Sequence, residues 1–268
     1  MADVVPEGVD PTIPNVARMY DYYLGGKDNF AADRAAAEQA LSVVPEIRES
    51  VRFNRAFLRR TVRTLAGMGV RQFLDIGTGL PTQNNVHEVA KEVDPDARVV
   101  YVDNDAVVLA HARALLAGGH DDVAIVQGDV RRPREILDHP DVRRLIDFDE
   151  PVAILLLAIM HFVPDSDDPD GILATLRDAL PSGGYLVLSH VAVDIDPSKA
   201  PGVTAAYDNA TARFIARTSP EIERFFTGVE LLEPGVVNLP EWRPEDEAEA
   251  RRYAGRGAYF LGGVGRKP

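Results

Sequence analysis

The chain has 268 residues, with 29 Lys and Arg against 42 Asp and Glu, a formal net charge of −13, and no cysteine. The missing cysteine excludes a disulfide framework, a cysteine nucleophile and cysteine-ligated zinc or iron–sulfur sites. The acidic balance argues against broad binding to nucleic-acid phosphates, because the long-range field repels a polyanion.

Residues 1–14 carry Pro6, Gly8, Pro11 and Pro14 among few apolar residues and read as a loose arm. They hold no apolar segment of the kind that marks a secretory signal. The longest apolar run, 152–160, is far short of the ~20 residues that span a bilayer. A cytoplasmic location and no membrane partner are therefore expected.

Residues 31–44 are Ala-rich and helical in pattern. Residues 45–68 form a second helical stretch, with Ile47, Val51, Phe57, Leu58, Val62 and Leu65 at helical spacing and Gly67 and Gly69 as its stop signal. The chain then alternates. Strands are expected at 72–76, 98–102, 123–127, 152–158 and 185–191, and helices at 82–92, 106–116, 133–146 and 172–180. Asp168 is placed to cap the last of these helices, with Pro169 just inside it. Such alternation implies right-handed βαβ units and a parallel sheet covered on both faces. Further on, 203–218 and 219–226 read as helices, and 229–232 and 257–264 as strands forming an antiparallel edge. An acidic helical stretch, 245–252, lies between those strands.

Four motifs sit at carboxyl ends of the expected parallel strands, where open α/β sheets bind ligands. The first is Asp75-Ile76-Gly77-Thr78-Gly79. Its glycines let a ligand approach the backbone, although they also serve a tight strand–helix turn. A dinucleotide fingerprint would need a third glycine, and Thr82 stands there instead. The second is Asp103-Asn104-Asp105, after the second strand. Asp103 is placed to accept from ribose hydroxyls, and Asp105 to cap the next helix. The third is Gly128-Asp129-Val130, where Asp129 can accept from an adenine amino group and the Val130 backbone can hold a ring nitrogen. The fourth runs from Leu157 and Ala158 to His161, at the switch point of the sheet. His161 is the candidate general base and also a candidate substrate contact, with a structural histidine as the alternative. Asp165, Asp167, Asp168 and Asp170 read as caps and turns rather than as a metal site, and no metal is expected. Phe214 reads as core, or as a substrate-pocket wall together with Tyr207 and Asn209.

Taken together, the four motifs resemble the Rossmann-like S-adenosylmethionine-dependent methyltransferases over about residues 70–264. The segment Pro14-Asn15-Val16-Ala17-Arg18-Met19-Tyr20-Asp21-Tyr22-Tyr23-Leu24-Gly25-Gly26-Lys27-Asp28-Asn29-Phe30 resembles the signature of the actinobacterial-type S-adenosyl methyltransferase family. So do Val51-Arg52-Phe53-Asn54-Arg55-Ala56-Phe57-Leu58, Leu232-Glu233-Pro234-Gly235-Val236-Val237 and the terminal Gly262-Gly263-Val264-Gly265-Arg266-Lys267. The resemblance implies an α/β fold with a seven-stranded, mostly parallel sheet of order 3-2-1-4-5-7-6, helices on both faces and an N-terminal helical extension. It implies S-adenosyl-L-methionine as cofactor, held by Asp75, Gly77, Thr78, Gly79, Asp103, Asn104, Gly128, Asp129, Val130 and Ala158. One compact unit is expected, with residues 1–69 as arm and helical lid and 70–268 as the cofactor-binding domain. In the lid, Gly25 and Gly26 would bend over the cofactor, with Tyr22 or Tyr23 near the sulfonium and Arg52 paired with the methionyl carboxylate. Tyr23, His161, Tyr207 and Phe214 are the expected substrate contacts. The expected activity is direct methyl displacement onto a small-molecule acceptor, with homodimerisation open and no nucleic-acid partner. Two rivals remain: a non-catalytic S-adenosylmethionine-binding sensor or accessory protein, and a nicotinamide-dependent oxidoreductase.

Overall fold

The protein is described from a computed structural model covering residues 9–81, 85–115, 121–246, 248 and 259–268. The Thr82 position, the start of the helix expected at 82–92 and most of the acidic stretch 245–252 lie outside the described residues.

Five parallel strands form the centre of the sheet: β1 (Gln72–Ile76), β2 (Arg98–Asp103), β3 (Val123–Gln127), β4 (Val152–Leu157) and β5 (Tyr185–Val191). Every residue of β1 and β4 is buried, as a strand covered on both faces requires. Two short strands follow, β6 (Glu230–Leu231) and β7 (Val237–Asn238), before the last strand, β8 (Phe260–Arg266). Strand β8 runs antiparallel beside β5, from Tyr185 opposite Arg266 to Val191 opposite Phe260. Among the described residues the order is β3-β2-β1-β4-β5-β8-β6, with β7 also paired to β8. This is the expected order with one added two-residue strand, β7, which the sequence pattern does not reveal.

Ten helices surround the sheet within the described residues: α1 (Val16–Leu24), α2 (Ala31–Val43), α3 (Ile47–Gly67), α4 (Val86–Val93), α5 (Ala106–Leu115), α6 (Pro133–Leu137), α7 (Pro140–Leu145), α8 (Pro169–Ala179), α9 (Ala200–Ala206) and α10 (Ser219–Arg224). Side chains alternate along each strand, so neighbours feed opposite cores. Leu74, Val100 and Ile154 pack with Ile136, Val142 and Leu173 from α6, α7 and α8. Phe73, Val99 and Leu155 pack with Phe57, Val62 and Leu65 of α3 and with Trp242. Helix α3 is thus part of the sheet's cover. Helices α1 and α2 form a third core, in which Met19, Tyr23, Ala37 and Leu41 meet Val51, Tyr207 and Phe214.

The helix expected over 203–218 covers only 200–206. Beyond it the backbone finds other partners: Thr211 N donates to Pro14 O, and Ile215 N to His161 O. The 133–146 stretch is two helices rather than one, because Pro140 opens α7 after a break at Asp138 and His139.

Candidate functional site

At the carboxyl ends of β1, β2, β3 and β4, a cavity of about 960 Å³ opens between the strand ends and α1. The turn after β1 forms its floor. Gly77 and Gly79 both have positive φ, 76° and 66°, which L side chains rarely adopt. A Cβ on Gly77 would collide with the Ile159 side chain at 2.7 Å, whereas above Gly79 nothing lies within 4 Å. The turn is therefore closely packed behind and open in front.

Asp103 ends β2 and is buried. Gly79 N donates to its Oδ2 and Asp105 N to its Oδ1, each at 2.9 Å. The Asn104 backbone bonds it as well, and of the roughly four lone-pair sites that a carboxylate offers, part is left for a ligand. Burial pushes the Asp103 carboxyl up to about 6. Asp75 behaves alike: burial raises it to about 6, against a hydrogen bond from the Thr78 hydroxyl and the nearby Arg55 charge. Asp129 differs. Burial pushes it up, but Arg131 clasps both its oxygens and holds the carboxyl below the ordinary range. Thr78, Asn104, Val130 and Ala158 complete this part of the wall. Ala158 has φ 57°, an uncommon value for a residue with a side chain, and marks a forced turn where the chain leaves β4.

Five expected residues are placed elsewhere. Gly25 and Gly26 do not line the cavity. They end α1: Gly25, at φ 89°, donates to Tyr22 O, and Gly26 donates to Asp21 O. This is the ordinary use of glycine beyond a helix end. Arg52 is exposed on α3 and points away, whereas Arg55, one turn on, lines the cavity. Tyr22 faces outward, with its hydroxyl on Glu38 and the Arg48 guanidinium 5.0 Å from its ring. Gly128 packs behind the wall, where a Cβ would meet Val102 and Ile136 within 3 Å.

Residues not singled out form the roof instead. Asn15 caps α1, accepting from Ala17 N and Arg18 N through Oδ1. Its Nδ2 donates to Asp105 Oδ2 and to Thr211 Oγ1. Tyr20 is fixed by a relay that starts at the β4 terminus. Ala158 N donates to Ser189 Oγ (3.0 Å), Ser189 Oγ to Asn54 Oδ1 (2.6 Å), Asn54 Nδ2 to Tyr20 OH (3.0 Å), and Tyr20 OH to Val51 O (3.2 Å). Asn15, Tyr20, Asn54 and Arg55 all lie within the quoted signature segments, and that was their only signal.

His161, Tyr23, Tyr207 and Phe214 converge on a second, smaller cavity of about 80 Å³. Val16, Tyr20 and Phe162 line both cavities. The His161 ring is enclosed by Phe162, His190, Phe214 and Phe260. Burial, then the neighbouring His190 and Arg217, hold it well below its ordinary value, so it is neutral near pH 7. It does not line the larger cavity. Among the described residues, no cluster of three or more His, Cys, Asp or Glu suited to a metal ion is found. No described helix is long and apolar enough to cross a membrane.

Comparisons with known proteins give the family and the fold. The profile of the S-adenosyl methyltransferase family matches residues 3–268. A crystal structure of a candidate methyltransferase from Thermobifida fusca YX shares 44% identity, covers 98% of both chains and superposes with a TM-score of 0.88. A DUF574 family protein from Streptomyces avermitilis shares 41% identity over 97% of this chain and 99% of that one, with a TM-score of 0.90. The plantazolicin methyltransferase, solved with S-adenosylhomocysteine, shares the fold at 12% identity over 94% and 95% of the two chains and a TM-score of 0.55. No curated protein matches. With both the whole-chain profile and these two relatives in hand, the chain belongs to the S-adenosyl methyltransferase family.

Proposed function

We propose that this chain binds S-adenosyl-L-methionine in the larger cavity and catalyses transfer of its methyl group to a small-molecule acceptor by direct displacement. The observation that carries this reading is Asp103. It is a buried carboxylate at the end of β2, braced by backbone N–H groups and lining the cavity of the Gly77–Gly79 turn. That acceptor suits a ribose, whose paired hydroxyls need one acceptor group. The open face above Gly79 leaves room for a ligand against the backbone.

The cofactor, when bound, supplies a methyl group on a positively charged sulfur, already electrophilic. The chain's task is then chiefly to align donor and acceptor, which can lower a barrier by about 7–11 kcal/mol. In this reading Asp103 holds the ribose, and Asp129 with Val130 flanks the adenine. Asp75 faces the ammonium and Arg55 the carboxylate of the methionyl end, in place of Arg52. Because Arg131 occupies both Asp129 oxygens, the Val130 backbone carries more of the adenine contact than the carboxylate.

Calorimetric titration with S-adenosylhomocysteine and with NADH tests the reading. Tight binding of the first alone is expected. Asp103→Ala should weaken it by about tenfold or more, the size of a lost charge-assisted hydrogen-bond pair. Transfer of labelled methyl across an acceptor panel then separates an enzyme from an accessory protein. Preferential NADH binding would sink the proposal.

A further inference from the structure

The smaller cavity lies inside the third core, between α1, α3 and the segment that follows β5. Its walls are mostly rings. Phe162 and Tyr207 stand 5.6 Å apart and tilted by 46°, and Tyr207 and Phe214 5.9 Å apart and tilted by 36°. Rings offset in this way can be extended by one more planar group. The Tyr23 and Tyr207 hydroxyls satisfy each other at 3.0 Å.

Two side chains on this wall carry a buried polar atom with no partner. Among the described residues, three buried side-chain polar atoms lack a hydrogen bond: Ser50 Oγ, His161 Nδ1 and Trp242 Nε1. The first two belong to side chains lining this one cavity. Their residues are 2% and 4% exposed. Leaving such groups unmet is costly, and a ligand that both donates and accepts would relieve them. Charged groups are confined to the edge and already paired: Lys199 bonds Tyr259 OH at 2.7 Å and Glu46 at 3.3 Å, and lies 3.7 Å from Asp196.

We propose that this cavity is the acceptor subsite and that it takes a small, uncharged, hydroxylated aromatic ring of phenol type. The proposal rests on the methyl-donor reading of the larger cavity. At about 80 Å³ the space is smaller than the ~150 Å³ void known to admit benzene. The ring therefore sits only partly in this space and extends toward the larger cavity across the shared wall of Val16, Tyr20 and Phe162. Ser50 and His161 position the hydroxyl. A permanently charged head would forfeit hydration with no unpaired counter-charge to meet it.

The test is a ligand-observed NMR titration of the full-length chain with phenol, cyclohexanol, benzoate and benzylammonium. Each is run with and without saturating S-adenosylhomocysteine. Phenol is expected to bind saturably and at least about fivefold more tightly than the other three, the scale of one hydrogen bond. Ser50→Ala and His161→Phe should each weaken phenol about fivefold. Val203→Phe, which fills the space from α9, should abolish phenol binding and leave S-adenosylhomocysteine affinity unchanged. Ser50→Ala removes a single oxygen, so the result survives a folding failure of His161→Phe. Binding of benzylammonium or benzoate equal to phenol, or undiminished phenol binding in Ser50→Ala and Val203→Phe, would overturn the proposal. Failure of S-adenosylhomocysteine to bind in the same samples would instead strike the methyl-donor reading.

Discussion

Asp75 and Asp103 end neighbouring strands, and burial raises both carboxyls to about 6. Each is ionised above that value and protonated below it. Only the ionised forms accept from ribose hydroxyls with full capacity or face an ammonium. Affinity for S-adenosylhomocysteine should therefore be flat between about pH 7 and 8 and fall as pH drops through 6, approaching about tenfold per pH unit for each group required. Asp103→Asn should bind more weakly at pH 7 and show a shallower fall. Calorimetry across pH checks both, and a dissociation constant independent of pH in the unmodified chain would remove the carboxylates from the binding account. These two acids were legible in the sequence because a strand end has only one place to present a side chain. Arg55 was not. The signature segment holds arginines at 52 and 55, and only the rotation of α3 against the sheet decides which one meets the cavity. That rotation is set by Phe53, Phe57 and Leu58 packing into the core, a long-range fact.

Elements were legible to the degree that local pattern decided them. The strands 72–76, 123–127 and 185–191 match residue for residue, since a short apolar run flanked by turn residues has few alternatives. The 207–218 segment departs from a helix where Thr211 N and Ile215 N bond the distant Pro14 O and His161 O, which no local pattern reveals. Helix α1 is the element on which the site closes. Its cap residue Asn15 also ties it to Asp105, itself the cap of α5 through Val107 N and Val108 N. Cap and tie can be separated. Asn15→Asp keeps a competent N-cap, worth about 1 kcal/mol, but sets a carboxylate against Asp105. Asn15→Ser keeps the cap and merely removes the tie. Hydrogen exchange of the 16–24 amides should accelerate in the order Asn15→Ser, then Asn15→Asp, with faster release of S-adenosylhomocysteine in the same order. If Asn15→Asp protects those amides as well as asparagine does, α1 is held by its other contacts, chiefly the buried Arg18–Asp33 ion pair.

Over the whole molecule, the charge of −13 does not by itself predict how stability responds to acid. Many acids are caps or surface partners, such as Asp168 at the start of α8 and Glu245 beside Arg59 and Arg63. The groups that couple folding to pH are buried, and they oppose one another. Asp75 and Asp103 have folded values near 6, above their ordinary 3.8. Their contribution is fully present below 3.8 and is lost as pH rises through 6, so acidification from about pH 7 to 5 favours folding by on the order of 1 kcal/mol each. His190 runs the other way. Burial lowers it from 6.5 to about 3, helped by the Arg217 charge and opposed by the bond from Nδ1 to Val191 O. Its contribution is present above 6.5 and fades as pH falls toward 3, a loss of about 2 kcal/mol by pH 5. His161, also held low, adds to that loss. The opposing slopes partly cancel, and with His161 on the same side as His190 the melting temperature of the ligand-free chain should fall modestly between about pH 7 and 5. His190→Asn keeps a donor for Val191 O but cannot be protonated. It should be less stable than the unmodified chain at pH 7, and should recover about 2 kcal/mol of that deficit by pH 5, several degrees in melting temperature for a chain of this size. A deficit that stays constant across the range would mean that His190 takes up no more protons on unfolding than it holds in the folded protein, and that the fall on acidification has another origin.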